Sequence, residues 1–304
     1  MSASVVVLAL LLLLVAAWAV PELRRRPMGA KARAEALGEF AAIPGGRTHF
    51  RWFGPEDGPV VVCVHGLVTP SPIWEPMASG LAMDGYRVLT YDLWGRGYSA
   101  RPLRKHTADL YCRQLSDLLD SQGVTGPVSL LGYSMGAAIA TTFAAATPSR
   151  VDRLVLLAPG GLGCDPGQFF ERCCRLPVVG DIIWGLHGGD DLVDATGPEE
   201  RFPALPALIR VEVTTRGYLP SLLSSGRNML AEDQAGAHKA IATAKIPVRA
   251  IWGRHDRVIP LSALGRLAQL NRNAQQSVLE AADHGLIYTH ASECLKDVRA
   301  FLKR

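Results

Sequence analysis

The chain has 304 residues, 48% of them hydrophobic and 20% charged, enough apolar material for one large core with room for an insertion. Its net charge is +4, and most of that excess lies in Arg24, Arg25, Arg26, Lys31 and Arg33 against Glu22 and Glu35. The remainder is close to neutral, which excludes the basic face that a nucleic-acid-binding domain needs.

Residues 3–20 form an apolar run interrupted only by Ser4. Its length just reaches that of a membrane-spanning helix. The reading is an N-terminal transmembrane anchor over residues 1–21. The alternative is a signal sequence cleaved at Ala17-Trp18-Ala19, which would export the protein. Against cleavage, the first four residues carry no positive side chain. Residues 22–39 read as a basic juxtamembrane linker, solvated or lying as a helix on anionic lipid. With the cations C-terminal to the span, the rest of the chain is expected on the cytoplasmic side.

From residue 40 to 304 short apolar runs alternate with helical stretches. Residues 48–53 alternate like a strand, and 54–58 (Gly-Pro-Glu-Asp-Gly) form a turn. The run 60–64 is fully apolar, as a strand buried on both faces would be. Further strands are expected at 87–91, 128–131, 154–158, 248–252 and 277–280. Helices are expected at 72–83, 107–121, 134–147, 261–271 and 286–302. Such alternation predicts an α/β fold with a mostly parallel central sheet and helices on both faces. Residues 160–243 contain no clear buried strand but many aromatic and aliphatic groups. They read as a helical cap over one end of the sheet, its spare apolar surface lining a pocket. Six cysteines show neither zinc-finger nor C-x-x-C spacing, so reduced thiols and no metal site are expected.

The most specific motif is Gly132-Tyr133-Ser134-Met135-Gly136. An apolar strand precedes it and an alanine-rich helix follows. That strand–turn–helix setting is what a nucleophile elbow requires to expose the serine hydroxyl. A serine needs a base to take its proton. His284 follows the last strand on a loop, whereas His290 lies inside a helical pattern. Asp256 follows the strand 248–252 on a similar loop and would hold the imidazole in the tautomer that accepts the proton. The other reading of Asp256 is a loop carboxylate paired with Arg254 or Arg257. Backbone donors for an oxyanion are expected from Leu67, after the Gly66 turn, and from Met135. His65 opens that turn and reads as structural.

Together His65-Gly66, the stretch from Asp92 to Ser99, Gly132 to Gly136, Asp256 and His284 resemble the α/β-hydrolase superfamily. The stretch from Asp92 looks like the D-x-x-G-x-G-x-S loop of its capped serine esterases, lipases and carbon–carbon bond hydrolases. An N-terminal anchor with a helical cap is similar to membrane-bound monoacylglycerol lipases. The resemblance implies a cofactor-free serine hydrolase acting on carboxylic esters of small molecules or lipids. The same triad could act on thioesters, amides or carbon–carbon bonds, or as a perhydrolase. A non-catalytic binding protein of the same fold is the alternative of another class, although a pure binder needs no base behind a serine. Gly95-Arg96-Gly97 is too little for a dinucleotide fingerprint. Oligomeric state is not legible.

Overall fold

A computed structural model describes residues 2–196 and 199–303. Met1, Gly197, Pro198 and Arg304, which fall within the anticipated N-terminal segment, cap and main domain, lie outside the described residues. The central sheet has eight strands: β1 (Glu39–Ile43), β2 (Gly46–Phe53), β3 (Val60–Val64), β4 (Arg87–Tyr91), β5 (Val128–Tyr133), β6 (Val151–Leu157), β7 (Val248–Gly253) and β8 (Gln275–Leu279), ordered β1-β2-β4-β3-β5-β6-β7-β8. The pairs β1–β2 and β2–β4 are antiparallel, and every other pair is parallel. The chain thus has the α/β-hydrolase fold.

Strand side chains alternate between two cores because successive residues point to opposite faces. Val62 and Val64 pack into one core, and Val61 and Cys63 into the other. On the first face lie α4 (Ala108–Ser121), α5 (Met135–Ala146) and α11 (Ser262–Leu270). On the second lie α3 (Glu75–Met83), α12 (Leu286–Thr289) and α13 (Ala291–Leu302). Burial on both faces explains why the central strands are continuous apolar runs.

Three local readings are corrected. Residues 39–43 form a strand the sequence pattern did not single out. It pairs with β2 across Pro44-Gly45, Ile43 standing opposite Gly46. The long-range partner, not local propensity, makes it a strand. The helix expected at 72–83 begins as a 3-10 turn, Ser71–Trp74. The helix expected at 286–302 breaks at His290, whose φ of −127° and ψ of 39° are not helical.

Between β6 and β7 come α6 (Gln168–Arg175), α7 (Val179–Thr196), α8 (Leu205–Val213), α9 (Tyr218–Arg227) and α10 (Ala235–Thr243). Phe170, Trp184, Tyr218, Leu219 and Leu222 give the inserted helices a small core of their own. The Trp184 indole donates to the Leu219 carbonyl at 3.0 Å, and the Tyr218 hydroxyl donates to the Val68 carbonyl at 2.7 Å. The first bond ties two inserted helices together, and the second ties the insert to the loop after β3.

The N-terminal helix α1 spans Ala3–Arg24, with Pro21 inside it rather than after it. It is 22 residues long, and an 18-residue window of it has a mean hydropathy of 2.8, long and apolar enough to cross a membrane; a signal sequence has the same character. Val5, Val6, Val7, Leu8, Leu10, Leu12, Leu13, Leu14 and Val15 stand exposed on it. Its last turn is docked rather than free. Arg216 donates to the carbonyls of Glu22, Leu23 and Arg25, a cation at a helix C-terminus. Arg25 donates to the carbonyls of Val213 at 3.1 Å and Gly185 at 2.6 Å. Arg26 bridges to Thr215. The segment read as a linker is therefore pinned to the inserted helices, because its arginines find backbone carbonyls there. Beyond the end of α1 at Arg24, Ala30–Arg33 (α2) is the helical part of that segment among the described residues.

Candidate active site

Ser134 sits between β5 and α5 with φ 54° and ψ −120°, a conformation that side chains other than glycine rarely adopt. The flanking glycines make the turn possible. A Cβ on Gly132 would lie 2.5 Å from the Ala137 Cα, and one on Gly136 would lie 2.2 Å from the Val64 carbonyl oxygen. Both obstacles are backbone of regular elements and cannot yield. Ser134 is thus held at the carboxyl edge of the parallel sheet.

Asp256 lies three residues beyond β7, and His284 on the loop after β8. Strand order places these loops on the same rim, where open parallel sheets collect their sites. The structure brings all three side chains into one line. The His284 Nδ1 is 2.9 Å from the Asp256 Oδ2, and its Nε2 is 3.0 Å from the Ser134 Oγ. A carboxylate only accepts, so Nδ1 carries the proton and Nε2 is left to accept from the serine hydroxyl. The second Asp256 oxygen accepts from the amides of Val258 and Ile259, both at 2.8 Å. This side chain is 2% exposed and His284 is 22% exposed. Arg254 pairs with Glu280 instead, so the alternative reading of Asp256 as its ion-pair partner does not hold.

Met135 is the first residue of α5, so its N–H has no intrahelical acceptor. Leu67 lines the same pocket as Ser134, and a Cβ on Gly66 would lie 3.3 Å from the Ser134 Cβ. His65 is fully buried. Its Nδ1 donates to the Gly66 carbonyl at 2.9 Å and its Nε2 accepts from the Leu93 amide at 2.8 Å. Burial lowers its pKa to about 4, so the ring is neutral in this tautomer near neutral pH. The Gly66 carbonyl and the Leu67 N–H share one trans peptide plane and point opposite ways. The His65 bond therefore sets the direction of the Leu67 N–H.

Around the site runs a polar scaffold that the pattern of residues did not reveal. Arg96 is fully buried and donates to the Leu67 carbonyl at 3.0 Å, the Tyr111 hydroxyl at 2.5 Å and the Ser225 hydroxyl at 2.8 Å. It ties the Leu67 turn to α4 and α9. The glycines flanking Arg96 hinted at close backbone approach, but nothing nearby in sequence named its partners. Asp92 accepts from His49 at 2.7 Å, from the Ser71 amide at 2.9 Å and from the Tyr98 amide at 3.0 Å. Burial works to raise its pKa, but these bonds and the His49 charge outweigh it and hold it below the usual carboxylate range. Glu212, on α8, accepts from the Gly97 amide at 3.0 Å. Burial pushes its pKa up to about 7 against the pull of Arg101.

The pocket over Ser134 has a volume of about 410 Å³. Its walls are largely apolar, with Phe170, Trp184, Leu205, Ile209 and Leu222 contributed by the inserted helices. Asp191, Glu199 and Asp283 also line it, and among the described residues no Lys or Arg does. Among the described residues there is no group of His, Cys, Asp and Glu side chains able to hold a metal ion.

Comparisons with known proteins agree with this architecture. The family model for the alpha/beta hydrolase fold matches residues 59–178. The pimeloyl-[acyl-carrier protein] methyl ester esterase of Aliivibrio fischeri is 26% identical over 84% of this chain and 98% of its own length. A non-heme chloroperoxidase of Streptomyces lividans is 24% identical over 88% of this chain and all of its own. The crystal structure of the enol-lactonase from Burkholderia xenovorans superposes with a TM-score of 0.75 at 25% identity, covering 88% of this chain and 100% of that one. These comparisons support a member of the alpha/beta-hydrolase superfamily with hydrolase activity.

Proposed function

We propose that this protein is a serine hydrolase of carboxylic esters that works through an acyl-enzyme on Ser134. The carrying observation is the hydrogen-bonded line Ser134–His284–Asp256 opening onto an apolar pocket. His284 takes the serine proton as the hydroxyl attacks the ester carbonyl. Asp256 keeps the ring in the accepting tautomer and stabilises the imidazolium that forms. The amides of Leu67 and Met135 hold the oxyanion, each such donor being worth about 3 kcal/mol in the transition state. The protonated His284 then hands its proton to the departing alcohol, and a water molecule, activated by the same ring, releases the acid. The esterase and enol-lactonase relatives support ester chemistry.

The substrate class follows from the pocket and from α1. The apolar walls suit an acyl chain. Asp191, Glu199 and Asp283, with no Lys or Arg beside them among the described residues, disfavour an anionic substituent next to the scissile ester. About 33 Å of helix, at 1.5 Å per residue, matches the thickness of a bilayer. We read α1 as a retained anchor. Its basic end favours the cytoplasmic side for the hydrolase domain. Substrates are then neutral acyl esters met by diffusion in the membrane plane.

A fluorophosphonate probe tests the chemistry. It is expected to label the folded protein, and Ser134→Ala is expected to abolish both labelling and turnover. Rates on p-nitrophenyl esters of increasing acyl length test the substrate class. A rise from acetate toward medium chains is expected, and a strong preference for acetate would overturn the lipid reading. Extraction of membranes with alkaline carbonate tests the anchor.

A further inference from the structure

A second cavity, of about 790 Å³, lies away from Ser134, where the end of α1 meets residues 101–106 and the start of α9. Arg33, Arg101, Arg104, Lys105 and Arg216 line it. Among the described residues Glu22 is the one acid on its walls, and it is already bonded to Arg25 at 2.5 Å and to the Gly217 amide. Arg101 pairs with the buried Glu212 at 3.7 Å, and Arg33 and Arg216 donate to backbone carbonyls. Arg104 and Lys105 meet no carboxylate among the described residues, and the buried Arg101 Nε has no protein acceptor. Burial, followed by the nearby charges of Arg47 and Arg101, lowers the Arg33 pKa. Like charges held this close are stabilised by an anion between them.

The same cavity has an apolar rim. Trp18 is 46% exposed, Leu23 61% and Leu103 98%. Trp18 and Leu23 belong to the end of α1, where a membrane-crossing helix would leave the hydrocarbon for the head-group layer. Indole rings favour that boundary, and juxtamembrane cations there attract anionic lipid. Cations together with exposed apolar groups in one cavity match a molecule with a phosphate at one end and acyl chains at the other. A soluble phosphate would leave the apolar rim unused.

We propose that this groove binds the phosphate head group of an anionic glycerophospholipid from the leaflet that α1 enters, with the lipid's chains lying along α1. The inference rests on α1 being retained in a membrane, and it is independent of the chemistry at Ser134. Such a bound lipid would fill the wedge between α1 and the inserted helices, fixing how the pocket over Ser134 faces the bilayer.

The test uses the full-length Ser134→Ala protein in neutral-detergent micelles doped with fluorescent, ether-linked phosphatidylglycerol, which no esterase can cleave. Saturable binding is expected. Arg104→Gln combined with Lys105→Gln is expected to weaken it by roughly 25-fold, since each cation at an anionic lipid surface is worth about fivefold. Both side chains are solvent-facing, so an unchanged melting temperature is expected for the double variant. Equal affinity in the parent and the double variant would overturn the proposal. So would full displacement of the probe by millimolar inorganic phosphate, which would assign the groove to a soluble anion. Turnover of a short p-nitrophenyl ester by the double variant with Ser134 intact is expected to match the parent. That assay reports on the hydrolase reading alone, and carbonate extraction reports on the anchor alone, so each can fail separately.

Discussion

The Tyr133 hydroxyl donates a 3.0 Å hydrogen bond to the backbone carbonyl of His284. The residue just before the serine thus holds the loop that carries the imidazole. The two rings also lie 5.4 Å apart at 35°. Because β5 and the loop after β8 are distant in sequence, this bond couples the two halves of the proposed triad. Tyr133→Phe keeps the packing and removes the bond, which is worth about 1 kcal/mol. We expect kcat to fall roughly three- to tenfold while fluorophosphonate labelling of Ser134 persists. Unchanged kcat would show that the loop holds its position without the tyrosine.

In the proposed oxyanion hole His65 positions the Leu67 donor without touching substrate. His65→Leu deletes both ring bonds and leaves the Gly66 carbonyl free to rotate with the Leu67 N–H. Removing one oxyanion donor outright costs about 10²- to 10³-fold in kcat, so a misdirected donor is expected to cost somewhat less, about 10-fold or more. KM is expected to change little. His65→Asn, which can still donate near the Nδ1 position, is expected to recover part of kcat. A purely structural histidine would lower the melting temperature in both variants and leave the kcat of the folded fraction intact.

The elbow is sterically closed at Gly136. Its added Cβ would meet the Val64 oxygen at 2.2 Å and the His65 oxygen at 2.4 Å. Gly136→Ala is expected to destabilise by about 3 kcal/mol, at the upper end of overpacking effects. Gly126→Ala, where a Cβ meets nothing within 4 Å, serves as the control and is expected to stay within about 0.5 kcal/mol. Urea denaturation of both variants measures the difference.

His238 on α10 is 1% exposed, and neither ring nitrogen has a protein partner. Burial lowers its pKa to about 4 from an ordinary value of 6.5. The unfolded chain therefore binds a proton between those values that the folded chain refuses. Stability from this group is present above pH 6.5 and is lost as pH falls toward 4. His238→Leu removes that loss along with two unpaired buried nitrogens. Its melting temperature is expected to exceed that of the parent, by more near pH 5 than near pH 8. An equal gain at both pH values would show that His238 is not held neutral.

Much of the site was legible from local pattern. The elbow from Gly132 to Gly136 announces itself because a tight strand-to-helix turn restricts residue type by sterics alone. Asp256 and His284 were legible as candidates because each follows a recognisable strand, and loops at the carboxyl ends of parallel strands share one rim. The apolar run of residues 3–20 needs only length and composition to read as a span. The hairpin strand β1 was not legible, since its five residues become a strand only against β2.

The roles of Arg96, Glu212 and the arginines after α1 were settled in three dimensions. Arg96 reaches Leu67, Tyr111 and Ser225, and Arg25 reaches Gly185 and Val213, all far along the chain. A charged side chain looks like surface in a sequence. Whether it is buried depends on which distant carbonyls and hydroxyls the folded chain offers it, and folding supplies those partners only when the inserted helices close over the sheet. Sequence determined where a serine, a carboxylate and an imidazole could meet, because turn sterics and the alternation of strand and helix are written locally along the chain. Tertiary structure alone decided what supports them and how the N-terminal helix is docked, because those bonds join residues that no local spacing relates.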